Sequence, residues 1–236
     1  MKAGRLTSSQ DYLKQIVYGG NDGIVTTFAI VAGFEGANAT GIARFGTIAI
    51  LVFGIANLIA DAISMGLGEY LSGRSARDVY TAKYRGVEQE IADAPANVAT
   101  EMAAELGRRG MSAEDRTALV PILGRNRKLL ADLNMTYRLG LPEPDRGNLR
   151  MRSLVTFLSF LAFGLIPIFP FLGPGGGDFR FPMACAATLA ALVALGVLRW
   201  RTTRYRMIRA VGETVLVGSV CALAAYLVGM VISISA

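Results

Sequence analysis

Residues 18–33 read Tyr-Gly-Gly-Asn-Asp-Gly-Ile-Val-Thr-Thr-Phe-Ala-Ile-Val-Ala-Gly, an apolar stretch that contains one carboxylate, Asp22. The stretch belongs to an apolar window near residues 17–35, which is long enough to cross a bilayer as a helix. A carboxylate at membrane depth is unfavourable in hydrocarbon, so it persists where it faces protein, water or an ion. The stretch therefore predicts a membrane helix whose acidic residue has a role other than packing.

Further apolar windows of similar length follow this one near residues 45–67, 153–172, 181–200 and 212–235. The 236 residues are 53% hydrophobic and 18% charged, whereas soluble domains have roughly 25% charged residues. We therefore predict an all-α membrane protein with five transmembrane helices.

Positive charge is concentrated in segments that five spans would place on one side of the membrane. These segments are the N-terminus, residues 72–152 and the connector 199–209, whereas the opposite side receives short loops. This asymmetry predicts a cytoplasmic N-terminus and an outside C-terminus. It also argues that the net charge of +6 serves membrane topology and not binding of nucleic acid.

The chain divides into three predicted segments. Residues 1–71 hold an N-terminal amphipathic helix, near residues 7–16, and spans 1 and 2. Residues 72–150 are polar and read as a small helical cytoplasmic domain inserted between spans 2 and 3. Residues 151–236 hold spans 3 to 5.

A stripe of potential ligands follows the second predicted span. Asn57, Asp61, Met65 and Glu69 recur every four residues and therefore share one slowly drifting face of a helix. If Asp22 faces this stripe, oxygen donors and one thioether surround a common position, a mixture that suits a borderline-soft divalent transition metal. Protonation of an aspartate would then release the ion. The alternatives are that Met65 only packs and that Glu69 lies at the aqueous edge.

Features of an enzyme are missing from the sequence. Histidine is absent, which removes the commonest metal ligand and many catalytic schemes. We find no nucleophile–base pair and no nucleotide motif, and Cys185 and Cys221 fall within apolar spans. We therefore expect neither an enzyme nor a bound cofactor.

The predicted cytoplasmic domain carries its own carboxylates: Glu88, Glu90, Glu101 and Glu105. Glu101 and Glu105 lie one helical turn apart, and Met135 is available as a softer donor. Helix surfaces also carry such acidic pairs for solubility, so spacing alone favours a metal site in this domain only weakly.

Three motifs resemble those of the vacuolar iron transporter family, of which this chain looks like a bacterial-type member. They are Asn21–Gly33, Asp61–Tyr70 and Leu139–Asp145. The resemblance implies a homodimer of five-span subunits, with a pathway between subunits through which iron(II) or manganese(II) leaves the cytoplasm in exchange for protons. Asp22 and Met65 match pathway positions of the family. Asn57 stands where the family has an acid, and we expect Asp61 to supply the displaced carboxylate.

The resemblance is weaker at the cytoplasmic metal site that it implies. Three positions keep the family's ligand types: Glu90, Glu101 and Met135. Four positions carry other residues: Val87, Val98, Asn134 and Arg138. Because an arginine opposes binding of a divalent cation, we expect the fold of the domain to persist while its metal site is degraded or absent. Glu88 and Glu105 are possible substitute ligands.

The sequence as a whole predicts a proton-coupled exporter of iron(II) or manganese(II), with Asp22, Asn57, Asp61, Met65 and Glu69 along its pathway. Its expected partners are the lipid bilayer, divalent metal ions, protons and a second copy of the chain. The alternative is a membrane-anchored interaction or regulatory protein of the same fold in which metal transport is lost or altered.

Overall fold

The computed structural model describes residues 12–39, 41, 45–144, 147–173, 179–203 and 206–235. Within these ranges the chain forms eight α-helices and no β-strand, which confirms the predicted all-α class. In chain order they are α1 Leu13–Ala39, α2 Thr47–Asp93, α3 Pro95–Arg108, α4 Ala113–Arg125, α5 Arg127–Leu133, α6 Leu149–Leu172, α7 Arg180–Thr203 and α8 Met207–Ser235. A π-helical segment, Asn134–Arg138, follows α5.

The chain folds as two compact units. One, here called the membrane unit, consists of the described residues up to Tyr70 and from Asn148 onward. The other, here called the inserted unit, is Leu71–Gly147. Residues 7–11 of the predicted N-terminal helix lie outside the described residues, and the rest of that prediction falls on Tyr12 and the first turn of α1.

Four described helices are long and apolar enough to cross a membrane: α2, α6, α7 and α8. They confirm the predicted class of an integral membrane protein. The first predicted span, residues 17–35, lies on α1, which does not reach the apolarity of the other four. Glycines and the polar residues Asn21 and Asp22 dilute its apolar side chains.

Helix α1 packs against α6, α7 and α8, so most of its surroundings within the membrane unit are protein. Two glycines permit this arrangement. A Cβ atom at Gly23 would collide with the backbone oxygen of Phe160 on α6, and one at Gly36 would collide with the backbone oxygen of Tyr226 on α8. Burial against protein explains how a helix with polar residues is accommodated among more apolar neighbours.

The inserted unit has an apolar core of its own. Its buried side chains come from the end of α2 and from α3 to the π-helical segment: Val87, Ile91, Val98, Ala99, Met102, Leu123, Leu130, Ala131 and Met135. Ser112 caps α4 by accepting a hydrogen bond from the Asp115 amide at 3.1 Å. Gly110 and Gly140 adopt positive φ angles of 106° and 65° at turns between elements.

Candidate functional site

Asp22 lies in the first half of α1, where the close contact of Gly23 with α6 fixes the helix. The side chain of Asp22 is half-buried. Its neighbour Asn21 has a side-chain oxygen that is buried and has no hydrogen-bond partner in the described part of the chain.

The carboxylate of Asp22 lies within electrostatic range of the carboxylate of Asp61 on α2, so the two negative charges repel each other. The structure thus brings together the two membrane acids that the sequence analysis singled out. Repulsion between like charges is stronger where water is scarce, and either a cation or protons would relieve it.

Asn57 and Asp61 form a hydrogen-bonded pair on α2. The side-chain amide of Asn57 donates to Asp61 Oδ2 at 2.6 Å, which leaves the amide oxygen of Asn57 as an acceptor. Within a single subunit Asn57 is exposed and Asp61 is half-buried. The pair therefore lies on a surface of the membrane unit that other described parts of the same chain leave partly uncovered.

Met65 continues the same face of α2 one turn later and is half-buried. It packs against an apolar cluster that includes Leu58, Phe160 and Ile168. The thioether is therefore adjacent to the acidic stripe and also contributes to packing, so the geometry is compatible with either role.

Glu69 differs from the rest of the stripe because its carboxylate is engaged by side chains of two neighbouring helices. Gln15 Nε2 donates to Glu69 Oε1 at 2.9 Å, and Arg152 Nε donates to the same oxygen at 3.1 Å. A cation that approached this carboxylate would compete with the Arg152 guanidinium.

The described residues of the membrane unit do not by themselves assemble a cluster of strong metal ligands. No group of three or more His, Cys, Asp or Glu side chains that could hold a metal ion occurs among the described residues. The side chains of Asp22, Asp61, Asn57 and Met65 nevertheless offer carboxylate, amide-oxygen and thioether donors, which are types that a borderline-soft divalent ion accepts.

In the inserted unit, the positively charged side chain of Arg138 bridges acidic residues of two helices. Its guanidinium forms an ion pair with Glu90 at the end of α2 and a second one, at 3.2 Å, with Glu101 on α3. Both glutamates that match the family's ligands are therefore neutralised by a side chain of the protein itself.

The other expected ligand of this domain, Met135, is fully buried in the apolar core beside Val87 and Val98. Asn134 is also fully buried, and its amide group donates to the Leu130 carbonyl at 2.8 Å. Of the positions at which the resemblance implies metal ligands, Val87, Val98 and Met135 therefore belong to the apolar core of this unit.

The two possible substitute ligands have different surroundings. Glu105 accepts hydrogen bonds from Arg108 and Arg109, which lower the pKa of its carboxyl. Glu88 lines a polar cavity of about 520 Å³ together with Tyr84 and Asp132. Burial and the neighbouring Asp132, to which the phenol donates, raise the pKa of Tyr84 to about 12. Asp132 is therefore engaged by a neutral phenol at physiological pH.

The sequence analysis missed three polar residues of the site. Gln15 and Arg152 hold Glu69, and Asn21, next to Asp22 in sequence, has a buried side-chain oxygen without a partner among the described residues. The sequence does indicate that Arg152 needs a partner, because a charged side chain at the start of an apolar span is unfavourable unless it is paired. Nothing in the spacing of Gln15 and Glu69 indicates that they meet.

Comparison with known proteins matches residues 13–230 to the VIT family. The chain is similar to the vacuolar iron transporter of Plasmodium falciparum (isolate 3D7), with 32% identity over 94% of this chain and 83% of that protein. It is 31% identical to vacuolar iron transporter 2 of Oryza sativa subsp. japonica, over 92% of this chain and 85% of the relative. With the Toxoplasma gondii (strain ATCC 50861 / VEG) vacuolar iron transporter it shares 35% identity over 83% of this chain, which spans 66% of that protein's length. These relatives are transporters and not enzymes.

Proposed function

The chain belongs to the VIT family, and on that premise we propose that it is a proton-coupled exporter of iron(II) or manganese(II) from the cytoplasm. Four apolar helices, an integral membrane location and relatives named as iron transporters support a metal transporter. The choice of metal, the coupling to protons and the direction of transport belong to the proposal.

In the proposed topology α1 is a fifth span, and the inserted unit lies in the cytoplasm. The contacts of α1 with three other helices of the membrane unit support its place in the bilayer. The concentration of Lys and Arg in residues 72–152 and 199–209 supports a cytoplasmic N-terminus and an outside C-terminus. We assign the protein to a bacterial cytoplasmic membrane.

What carries the proposal is the electrostatic repulsion between the carboxylates of Asp22 on α1 and Asp61 on α2. Two carboxylates that repel each other in a poorly hydrated environment favour occupation by one divalent cation or by two protons. Exchange of one for the other leaves the net charge of the pair unchanged. Metal movement in one direction and proton movement in the other are therefore coupled by charge balance at this pair.

The other stripe residues have distinct proposed roles. The amide oxygen of Asn57 adds a hard donor while its amide group orients Asp61. The thioether of Met65 adds a softer donor, which favours iron(II) over magnesium or calcium. Glu69 is the cytoplasmic entrance, where an arriving cation displaces the guanidinium of Arg152.

A second copy of the chain is the proposed cover for this stripe. In a single subunit the exposed amide of Asn57 would face hydrocarbon, which is unfavourable for a polar group. Two subunits related by a two-fold axis would bring their stripes together and enclose a polar path. Protein on both sides of the path would then supply the ligands that one subunit lacks.

The inserted unit favours a second candidate function. Because Arg138 neutralises Glu90 and Glu101, we propose that this unit does not collect metal in its unmodified form. The same neutralised site is expected in a second case. In that case the protein keeps this fold, has lost transport and acts as a membrane-anchored interaction partner. The retained acid pair in the membrane unit favours transport.

Metal uptake into liposomes tests the proposal. We would reconstitute the full chain, impose a pH gradient and follow uptake of iron(II), manganese(II), cobalt(II) and zinc(II). The variants are Asp22→Ala and Met65→Ala, and Asp93→Ala in the inserted unit is the matched control because its carboxylate is exposed and far from the stripe in sequence. We expect uptake by the wild type and the control, no uptake with Asp22→Ala, and reduced iron uptake with Met65→Ala.

Two results would remove the transporter interpretation. One is the absence of metal flux from correctly folded wild-type protein, which would favour the interaction protein. The other is flux that neither the Asp22 nor the Met65 substitution changes.

A further inference from the structure

A groove of about 380 Å³ lies between α2 and α6 on the surface of the membrane unit. Its lining is mostly apolar and comprises Ile63, Gly66, Leu67, Tyr70, Arg150, Ser153, Leu154 and Phe157. The two helices approach closely at its floor, because a Cβ atom at Gly66 would lie 3.1 Å from the Cβ of Phe157. The groove is therefore a concave feature of two rigid helices and not of a loop.

The groove is polar at one end and apolar along its length. Tyr70 and Arg150 lie at the end where α2 approaches the inserted unit in sequence, and Ile63 and Phe157 lie about 10 Å further along the antiparallel helices. The Arg150 guanidinium is exposed and has no ion pair or side-chain hydrogen bond among the described residues. The Ser153 hydroxyl is likewise without a partner in the described structure.

The groove lies on a different side of α2 from the Asn57–Asp61 pair. At about 100° per residue, positions 63, 66, 67 and 70 lie about 140–240° around α2 from Asp61. A second copy that covers the Asn57–Asp61 pair would therefore leave this groove open to the bilayer. Leu67 and Leu154 on its rim are 58% and 48% exposed, as expected of side chains that face acyl chains.

We propose that this groove binds an anionic phospholipid. The phosphate group pairs with Arg150 and accepts a hydrogen bond from the Tyr70 hydroxyl, while one acyl chain lies along Leu67, Leu154 and Phe157. An arginine at the end of an apolar groove between membrane helices matches this ligand in both charge and shape. A zwitterionic lipid carries a cationic group that offsets the attraction, so it binds more weakly.

Lipid titration of the purified full chain, followed by native mass spectrometry, tests the inference. The probes are phosphatidylglycerol, phosphatidylcholine and inorganic phosphate. Arg150→Gln removes the proposed contact, and Arg201→Gln is the matched control because Arg201 is an exposed arginine at the end of another span. We expect selective retention of phosphatidylglycerol by the wild type, and affinity about fivefold lower for Arg150→Gln alone, as for loss of one basic residue near an anionic headgroup.

A second variant probes the apolar part of the groove. Leu154→Trp fills it, so we expect loss of phosphatidylglycerol with the dimer or monomer mass unchanged. Equal retention of both lipids by the wild type would overturn the inference, as would equal effects of the two arginine substitutions. Displacement of the lipid by inorganic phosphate would also overturn it, because Arg150 would then bind a free anion and not a lipid headgroup. None of these readouts depends on metal flux, so failure here is distinct from failure of the transport proposal.

Discussion

The side-chain amide of Asn57 donates a hydrogen bond of 2.6 Å to Asp61 Oδ2, on a face of α2 that the rest of the described subunit leaves partly open. One of the two N–H donors of the Asn57 amide is thereby engaged, and its oxygen remains an acceptor. Two adjacent turns of α2 therefore each place an oxygen acceptor on this face: the amide oxygen of Asn57 and the carboxylate of Asp61.

Substitution of Asn57 tests whether its oxygen serves the cation. We expect Asn57→Leu to lower initial metal uptake into liposomes about tenfold, since it removes a ligand and a hydrogen bond to a charged group. Asn57→Asp keeps an oxygen acceptor at the same position, so we expect it to retain most of the uptake. Equal loss of uptake in both variants would show that transport requires the NH2 of the Asn57 side chain and not its oxygen.

The thioether of Met65 should affect metal preference more than total flux. Leucine has a similar volume and fills the same apolar contacts without a sulfur donor. We therefore expect Met65→Leu to lower the ratio of iron(II) to manganese(II) uptake several-fold in a competition assay, with manganese uptake nearly unchanged. An unaltered ratio would assign Met65 to packing alone.

Arg138 should prevent metal binding in the inserted unit. Arg138→Glu replaces the guanidinium with a carboxylate beside Glu90 and Glu101, so we expect manganese(II) binding to the full chain to tighten about tenfold or more. Titration calorimetry with the membrane path disabled by Asp22→Ala measures this site separately.

The control for this prediction is Arg127→Glu, which makes the same change of charge at an exposed position of the inserted unit. It should leave manganese binding unchanged. Tight stoichiometric binding by the unmodified unit would show that the ion pairs of Arg138 do not block the site.

The position of α1 against α6 should depend on a glycine. Gly23→Ala places a Cβ atom against the Phe160 backbone oxygen, and we expect this overpacking to destabilise the fold by about 1–3 kcal/mol. Gly212→Ala on α8 meets no atom within 4 Å and serves as the control. The thermal unfolding midpoint in detergent should fall for Gly23→Ala and stay level or rise for Gly212→Ala. Similar midpoints for the two variants would contradict the assigned packing.

Much of the fold could be predicted from the sequence because its signals are local. Long apolar windows mark α2, α6, α7 and α8, and the lack of a β pattern leaves an all-α class. The first span was harder to assign, since Gly23 and Asp22 lower the apolarity of α1. Its surroundings become evident only when the helices are assembled around it.

The site was predictable to the extent that it follows one helix. A spacing of four residues relates Asn57 to Asp61, and the structure joins them by a hydrogen bond. Contacts between helices were not predictable from spacing. The ion pair of Glu69 with Arg152 links residues far apart in the chain, and it gives Glu69 partners that its place in the stripe did not suggest.

The central claim is that Asp22 and Asp61 exchange a divalent cation for protons. Liposomes that contain the full chain and a trapped pH-sensitive dye would report proton movement when iron(II) or manganese(II) is added outside. We predict that metal uptake drives proton efflux in the wild type and that Asp22→Asn and Asp61→Asn abolish both fluxes. Metal uptake without proton movement in the wild type, or both fluxes unchanged in the two variants, would contradict the account.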